Sequence, residues 1–213
     1  MSTTDKKKIY IIRHGETDYN KAGLVQGRGI DADLNEKGRA QGRAFFEFYK
    51  SVPFDKVYTS KLKRTHQTVR DFLAIPLPWE QLPGLDEMDW GKHEGQSIST
   101  EIRNEFEKIV EAWNSGDYSV KPQGGESPLD VYARQEEAMN YIVSEEKENE
   151  KTILICMHGR AIRLLLCQLT GRPLKEMDHF PHQNTSLYIL NYADGKYEIE
   201  TFNSLEHLEL IKD

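Results

Sequence analysis

The chain has 213 residues, a net charge of -7, 38% hydrophobic residues and 30% charged residues. This length favours a single α/β domain over residues 1–213, although a division into two domains would also fit it. The acidic balance disfavours nucleic acids and anionic membranes as partners, because both require a basic face on the protein.

Two features bear on the compartment in which the protein works. Residues 1–8 carry charges but no apolar segment beyond the first predicted strand, so we expect neither a signal peptide nor a membrane span. The chain has two cysteines, Cys156 and Cys167, and both fall in predicted core elements. This pattern does not indicate a disulfide framework and fits a reducing cytoplasm.

Two short apolar runs end in the dipeptide His-Gly. The first, Lys8–Ile12, is followed by Arg13-His14-Gly15, and the second, residues 151–157, is followed by His158-Gly159. Runs of this kind are typical of strands buried on both faces of a parallel sheet, whose carboxyl edge is where ligands bind. A single histidine in such a place is more often structural. The repetition favours a cationic pocket suited to a phosphate group.

The segment between the two runs supplies further elements. Its glycine-rich loop at residues 23–29 lacks the spacing of a dinucleotide or phosphate-binding loop, so nucleoside triphosphate chemistry is not expected. Asn35 is predicted to cap a helix that ends near Lys50. A second strand over residues 54–60 leads into a helix with Ser60 as its cap. Arg64 in its first turns would support an anion site, or would be a solvated residue of a basic helix face.

The remaining elements complete an α/β pattern. Helices are predicted over about 97–114 and 128–148, the second capped by Ser127, and we expect this pair to form an insertion at the carboxyl edge of the sheet. A buried helix follows His158, and two late strands over 183–190 and 196–202 form a hairpin. The predicted fold is a three-layer α/β sandwich with a mostly parallel central sheet, helices on both faces and a helical insertion over the active site.

Five short motifs in this order resemble the histidine phosphatase superfamily, which includes cofactor-dependent phosphoglycerate mutases, fructose-2,6-bisphosphatases and α-ribazole phosphatases. The motifs are Arg13–Thr17, Ser60–Arg64, Leu85–Glu87 with Gly91 and Glu94-Gly95, Gly125–Ser127, and His158-Gly159. The resemblance spans nearly the whole chain and implies one histidine phosphatase domain. It implies a catalytic set and a substrate-binding set. The catalytic set is His14 as nucleophile, Glu87 as proton donor, and Arg13, Arg64 and His158 as ligands of the phosphoryl group. The substrate-binding set is Asn20, Gln26, Gly27 and Gly159.

The chemistry expected from these residues is phosphoryl transfer by positioning and charge. Two guanidinium groups and a protonated His158 can supply the charge that magnesium supplies elsewhere, so we expect neither a metal ion nor a cofactor. The free ring nitrogen of His14 should face phosphorus while the other is held by a backbone carbonyl near Gly15. The charge of a bound phosphate dianion should favour the protonated form of Glu87.

The predicted function is hydrolysis of small phosphorylated metabolites through a phosphohistidine, with a small-molecule phosphate ester as the ligand. The compact segment Met88–Ser97 resembles the phosphatase branch, and a phosphoglycerate mutase is the alternative. A homodimer is compatible with the sequence, which does not determine the oligomeric state. Arg160 stands where members of the superfamily often carry a small residue, and this extra cation is expected to influence substrate choice.

Two other classes remain in view. The run from Cys156 to Arg163 superficially resembles the phosphate loop of cysteine phosphatases, but the arginine that such a loop needs six positions after the cysteine is replaced by Ile162. A non-catalytic phospholigand-binding module on the same fold would bind without turnover. The presence of Glu87 together with both histidines argues against the module.

Overall fold

A computed structural model describes residues 6–97 and 99–211 of the chain. The strands are β1 (Lys7–Arg13), β2 (Lys56–Thr59), β3 (Trp79–Gln81), β4 (Thr152–Met157), β5 (Leu187–Ala193) and β6 (Lys196–Ser204). The helices are α1 (Asp18–Lys21), α2 (Glu36–Tyr49), α3 (Lys63–Thr68), α4 (Arg70–Leu73), α5 (Thr100–Asn114), α6 (Pro128–Ile142) and α7 (Gly159–Thr170). Turns of 3₁₀ helix lie at Pro83–Leu85, Gly91–His93, Glu145–Lys147, Leu174–His179 and Glu206–Ile211.

The strands described form one sheet in the order β3-β2-β4-β1-β5-β6. Strands β1 to β4 run parallel, while β5 lies antiparallel to β1 and β6 antiparallel to β5. The predicted α/β class and mostly parallel sheet are therefore confirmed. In the register of β1 with β4, Arg13 pairs with Met157. This pairing places the two His-Gly sequences side by side at the carboxyl edge.

Alternate residues of the central strands serve two cores. Ile9 and Ile11 of β1 pack with α6 and α7, whereas Tyr10 and Ile12 pack with Phe45 of α2 on the other face. Because both faces are covered, these strands read as continuous apolar runs instead of alternating ones. Strand β1, which leads into His14, is therefore packed on both of its faces.

Several predicted boundaries are confirmed by their caps. The Asn35 side chain accepts a hydrogen bond from Gly38 N at the start of α2, and Ser127 forms a capping box with Asp130 at the start of α6. Gly171 ends α7 in the left-handed conformation with a φ of 68°. These contacts satisfy backbone groups that a helix end leaves free.

Several local predictions differ from the structure. Leu62, not Ser60, occupies the cap position of α3, and the predicted helix breaks at Val69 into α3 and α4. Strand β3 was missed. Helix α6 ends at Ile142, and its side chains belong to the core on one face of the sheet. It is therefore a layer helix, and α5 alone provides the predicted insertion.

The described residues also bear on the segments at the chain start and before α5. Helix α5 begins at Thr100 with Ser99 as its cap, later than the predicted start near position 97. Ile98 and residues 1–5 lie outside the described residues. Part of the expectation that there is no signal peptide concerned residues 1–5. Among residues 6–97 and 99–211, no helix combines the length and apolarity needed to cross a bilayer.

Candidate active site

His14 lies directly after β1 and is 3% exposed. Its backbone N–H donates to Met157 O at 3.0 Å, and its Nδ1 lies 2.7 Å from Gly15 O. Burial lowers the pKa of His14 well below its ordinary value, and the charges of Arg64 and Arg13 act in the same direction. A neutral ring that donates from Nδ1 to a carbonyl carries its lone pair on Nε2. The predicted anchor at Gly15 is confirmed.

His158 follows β4, and its ring centroid lies 5.2 Å from that of His14. Its Nδ1 accepts from Arg64 Nε at 3.1 Å, and its Nε2 lies 2.7 Å from Ser60 Oγ. Burial, followed by the Arg64 charge, lowers the pKa of His158 well below its ordinary value. The expectation of a protonated His158 is therefore wrong, because Arg64 donates to Nδ1, which would carry the extra proton.

Arg64 is fully buried, whereas Arg13 is partly exposed to the cavity. Arg64 donates to His158, to Ile30 O at 2.6 Å and to Gly27 O at 3.2 Å, which uses three of its five N–H groups. Burial lowers the pKa of each arginine to about 10, so both remain charged near neutrality. No carboxylate of the described residues lies within ion-pair distance of either guanidinium. The site therefore holds concentrated positive charge.

Gln26 and Asn20 line the cavity beside Arg13, as the sequence indicated. Gln26 Oε1 accepts from Thr17 Oγ1 at 2.8 Å and from Asn20 Nδ2 at 3.3 Å. Gln26 Nε2 and Arg13 Nε are both buried, and neither has a hydrogen-bond partner among the described residues. Buried donors are normally paired, so these two N–H groups can bind an acceptor that a ligand brings to the cavity.

Gly27 is not among the residues that line the cavity, which differs from its predicted role as a substrate contact, and its carbonyl accepts from Arg64 Nη2. A Cβ atom at this position would stand 2.0 Å from Glu94 Oε1. Glu94 also accepts from Trp90 N at 3.0 Å, and burial raises the pKa of its carboxyl group. The glycine therefore lets the loop around residue 94 approach closely while its carbonyl holds Arg64. Gly159, in contrast, lines the cavity.

Glu87 is buried at the amino end of α7, where it faces the cavity. Its Oε1 accepts from Met88 N at 2.8 Å and from Ala161 N at 2.9 Å, and its Oε2 accepts from Arg160 N at 3.2 Å. These three backbone donors hold both carboxyl oxygens. The side chain is thus held in one orientation as an acceptor.

The cavity has a volume of about 860 Å³, and α5 provides much of its outer wall. Phe106 and Val110 give this wall an apolar strip, while Arg103, Glu107 and Glu111 are exposed beside it. Arg160 also lines the cavity, and its guanidinium carbon lies 5.8 Å from the ring centroid of Trp90 and 6.0 Å from that of Trp113 in α5. Its influence on substrate choice stays a prediction.

Two side chains at the site were missed in the sequence. Ser60 bonds to His158 as described, and His182 Nδ1 lies 3.1 Å from Arg13 Nη1. His182 precedes β5, whose antiparallel pairing with β1 brings its amino end to the carboxyl end of β1. The predicted late hairpin contained a signal for His182, because an antiparallel strand beside a parallel sheet delivers the residues that precede it.

Cys156 has no nucleophilic role in this geometry. It is fully buried inside β4, and burial raises the pKa of its thiol strongly. A protonated thiol without access to the cavity cannot attack phosphorus, so the cysteine phosphatase alternative fails. Among the described residues, no group of three or more histidine, cysteine or acidic side chains could hold a metal ion.

Acidification should destabilise the fold through its buried histidines. Burial lowers the pKa of His182 to about 3 and of His207 to about 4, and those of His14 and His158 also fall. Below about pH 6.5 these histidines become protonated in the unfolded chain but not in the folded chain. The free energy of unfolding therefore decreases by about 1.4 kcal/mol for each such proton with every unit by which the pH falls.

Urea titrations at pH 7 and pH 5 measure this loss of unfolding free energy. His207→Gln should remove about one proton from the pH dependence, whereas the same change at the exposed His179 serves as the control. An unfolding free energy that rises towards pH 5 would contradict the depressed pKa values.

The chain is similar to proteins of one known family. A family model described as "Histidine phosphatase superfamily (branch 1)" matches residues 9–205. Phosphoserine phosphatase 1 of Hydrogenobacter thermophilus is 26% identical over 202 residues, covering 94% of each chain. A 2,3-bisphosphoglycerate-dependent phosphoglycerate mutase 2 of Gloeobacter violaceus is 31% identical over 167 residues, 76% of this chain and 74% of the mutase. The structure of the α-ribazole phosphatase from Shigella flexneri superimposes with a TM-score of 0.80 at 28% identity, covering 92% of this chain and 96% of that chain.

Proposed function

Because the chain belongs to the histidine phosphatase superfamily, we propose that it hydrolyses small phosphomonoesters by passing the phosphoryl group first to His14 and then to water. One observation carries this assignment of residues. A neutral His14 lies beside two arginines and two buried N–H donors that have, among the described residues, no ion-pair partner and no acceptor respectively. A phosphoryl group supplies the missing negative charge and the missing acceptor oxygens together.

In the first step, His14 Nε2 forms a bond to phosphorus as the bond from phosphorus to the ester oxygen breaks. Arg13 Nε, Gln26 Nε2 and the two remaining N–H groups of Arg64 bind the equatorial oxygens, where the transition-state charge is spread. The leaving alkoxide takes a proton from Glu87, which lines the cavity and acts as the general acid. Gly15 O receives the Nδ1–H of His14, which stabilises the charged phosphohistidine ring.

In the second step, water attacks phosphorus and His14 Nε2 leaves. Glu87, now a carboxylate, accepts the proton of that water, as microscopic reversibility of its first role requires. His158 stays neutral in this scheme and acts by keeping Arg64 in place, since its Nδ1 accepts from Arg64 Nε. The cycle releases the alcohol and inorganic phosphate and regenerates the free enzyme.

The exposed helix α5, which covers the site, favours hydrolysis over mutase chemistry. A mutase must keep its first product bound and exclude water while that product reorients. Here the cover is α5, whose cavity-facing Arg103, Glu107, Glu111 and Asn114 are exposed. Segment Met88–Ser97 after Glu87 is compact and contains one 3₁₀ turn. An exposed cover of this kind supports entry of water more than it supports the sealed site that a mutase requires.

Net phosphate release should exceed mutase turnover. With 3-phosphoglycerate as substrate and 2,3-bisphosphoglycerate as primer, we expect inorganic phosphate to form with little or no 2-phosphoglycerate. Both products are measured in the same reaction, and a panel of phosphorylated metabolites then identifies the preferred substrate. Interconversion much faster than phosphate release would favour the mutase, and binding without any turnover would favour a non-catalytic module.

Activity should survive removal of divalent metal ions. The charge on the phosphoryl group is met by guanidinium and amide donors, so phosphate release after dialysis against EDTA should equal that of the untreated enzyme. Orthovanadate should inhibit, since its trigonal-bipyramidal adduct on His14 resembles the transition state. Full loss with EDTA and recovery on adding a divalent ion would overturn the metal-independent scheme.

The remaining expectations concern the cellular setting. Two free, buried cysteines support a reducing compartment, for which we take the cytoplasm. The net charge of -7 supports a small phosphate ester over a nucleic acid as substrate. A homodimer stays compatible with this scheme, which requires no residue from a second subunit.

A further inference from the structure

His182 contacts two parts of the site at once. Its Nδ1 lies 3.1 Å from Arg13 Nη1. Its ring also packs on Gly159, where a Cβ atom would stand 2.7 Å from His182 Cε1 and 2.9 Å from Nδ1. The imidazole is thus wedged between the Arg13 guanidinium and the amino end of α7, and a larger residue at position 159 would displace it.

The hydrogen bond fixes the tautomer of His182. A guanidinium group only donates, so His182 Nδ1 must accept and its proton must lie on Nε2. Burial, with the charges of Arg13, Arg163 and Arg160, lowers the pKa of His182 to about 3. The ring therefore stays neutral under working conditions and keeps its Nδ1 lone pair for Arg13.

The partner of this bond, Arg13, has a second donor that is unpaired among the described residues. Arg13 Nε is buried without an acceptor among the described residues, on the same guanidinium plane as Nη1. Holding Nη1 fixes the rotation of that plane and so fixes where Nε points. Without His182, the guanidinium could turn about its last bond, and Nε would lose its alignment with a phosphoryl oxygen.

The geometry points to His182 as a positioning residue that orients Arg13 towards the phosphoryl group. This inference rests on the phosphoryl-binding role proposed for Arg13. His182 does not transfer a proton in the reaction, because its Nδ1 accepts from Arg13 and the ring stays neutral throughout. It acts through Arg13, so its effect should be the same for every phosphomonoester, whatever the leaving alcohol.

Two variants test this role. His182→Ala removes the acceptor, and kcat/KM should fall about 10- to 100-fold, the usual effect of losing a buried hydrogen bond to a charged group. His182→Asn places Oδ1 near the position of Nδ1 and should recover most of the loss. Gln183→Ala, an exposed neighbour, is the matched control. Urea unfolding of each variant separates loss of fold from loss of orientation.

Three readouts identify a positioning role. In His182→Ala, kcat/KM should fall equally for p-nitrophenyl phosphate and an alkyl phosphate. The inhibition constant of orthovanadate should rise by the same factor. In a protein that already carries Arg13→Ala, adding His182→Ala should lower kcat/KM little further. Loss for one substrate only would make His182 a specificity contact, and greater loss for the alkyl ester would make it an acid. Both of these results would overturn the inference. An inactive His182→Asn variant would overturn it as well, and so would losses that add when His182→Ala is combined with Arg13→Ala.

Orthovanadate binding by calorimetry keeps this test separate from the proposed function. If the wild-type protein releases no phosphate but binds orthovanadate, the hydrolytic proposal fails while the coupling of His182 to Arg13 is still measured. If His182→Ala binds orthovanadate as tightly as the wild type, the positioning role fails whether or not the protein turns over substrate.

Discussion

His14→Ala should lower phosphate release by at least about 10⁴-fold, because loss of a covalent nucleophile leaves only binding and electrostatic effects. The same variant should form no phosphoenzyme. Rapid quenching at alkaline pH with a labelled substrate should trap an acid-labile adduct on the wild-type protein only. The reason is geometric: His14 presents Nε2 to the site because Gly15 O holds Nδ1.

A control at another histidine makes this result specific. His179→Ala removes an exposed imidazole and should leave the adduct and the turnover intact. The His14 variant should still bind inorganic phosphate, since Arg13 and Gln26 remain, which would show that the site is folded. An adduct in the His14 variant, or turnover near the wild-type rate, would show that another residue is the nucleophile.

Glu87→Gln should slow alkyl phosphates about 10²- to 10⁴-fold, the usual contribution of a general acid, and aryl phosphates far less. An alkoxide is a poor leaving group and needs the proton, whereas a nitrophenolate leaves without it. The measurement compares kcat/KM for p-nitrophenyl phosphate and a simple alkyl phosphate in wild type and variant. Glu136→Gln, on the exposed face of α6, is the matched control.

Equal losses for both substrates would make Glu87 positional and leave Glu94 or Glu126 as the acid. The contacts of these two residues argue for other roles. Glu126 is paired with Arg134 at 2.9 Å and with Arg28 at 3.4 Å. Glu94 accepts from Trp90 N and packs against Gly27. Glu87, in contrast, faces the cavity.

The elements that the sequence predicted well are those whose burial leaves a pattern. Strands β1 and β4 are covered on both faces, so they read as continuous β-branched runs. Strand β3 is exposed at Trp79 and Gln81 and is formed by backbone pairing with β2. Backbone pairing of this kind produces no hydrophobic pattern in the sequence. A short edge strand of this kind depends on its neighbour and not on its own side chains.

Tertiary contacts explain the other differences. Ser60 has a favoured residue type for a helix cap, but its hydroxyl lies against His158 and accepts from Leu62 N at 3.1 Å instead. The charge of His158 depends on burial and on Arg64, which are distant along the chain. His182 belongs to none of the quoted motifs, since its place beside Arg13 comes from the register of β5 on β1.

The division between sheet and α5 has a consequence for how substrate preference can change. His14 and His158 end strands whose side chains are almost wholly buried, whereas Arg103, Glu107 and Glu111 of the cavity wall are exposed. Exposed positions tolerate substitution within about 0.5 kcal/mol, while core positions do not. Mutation can therefore change the α5 wall of the cavity at little cost in stability, whereas substitutions at the buried strand ends are costly. A fold arranged in this way is suited to diverge in substrate without diverging in chemistry.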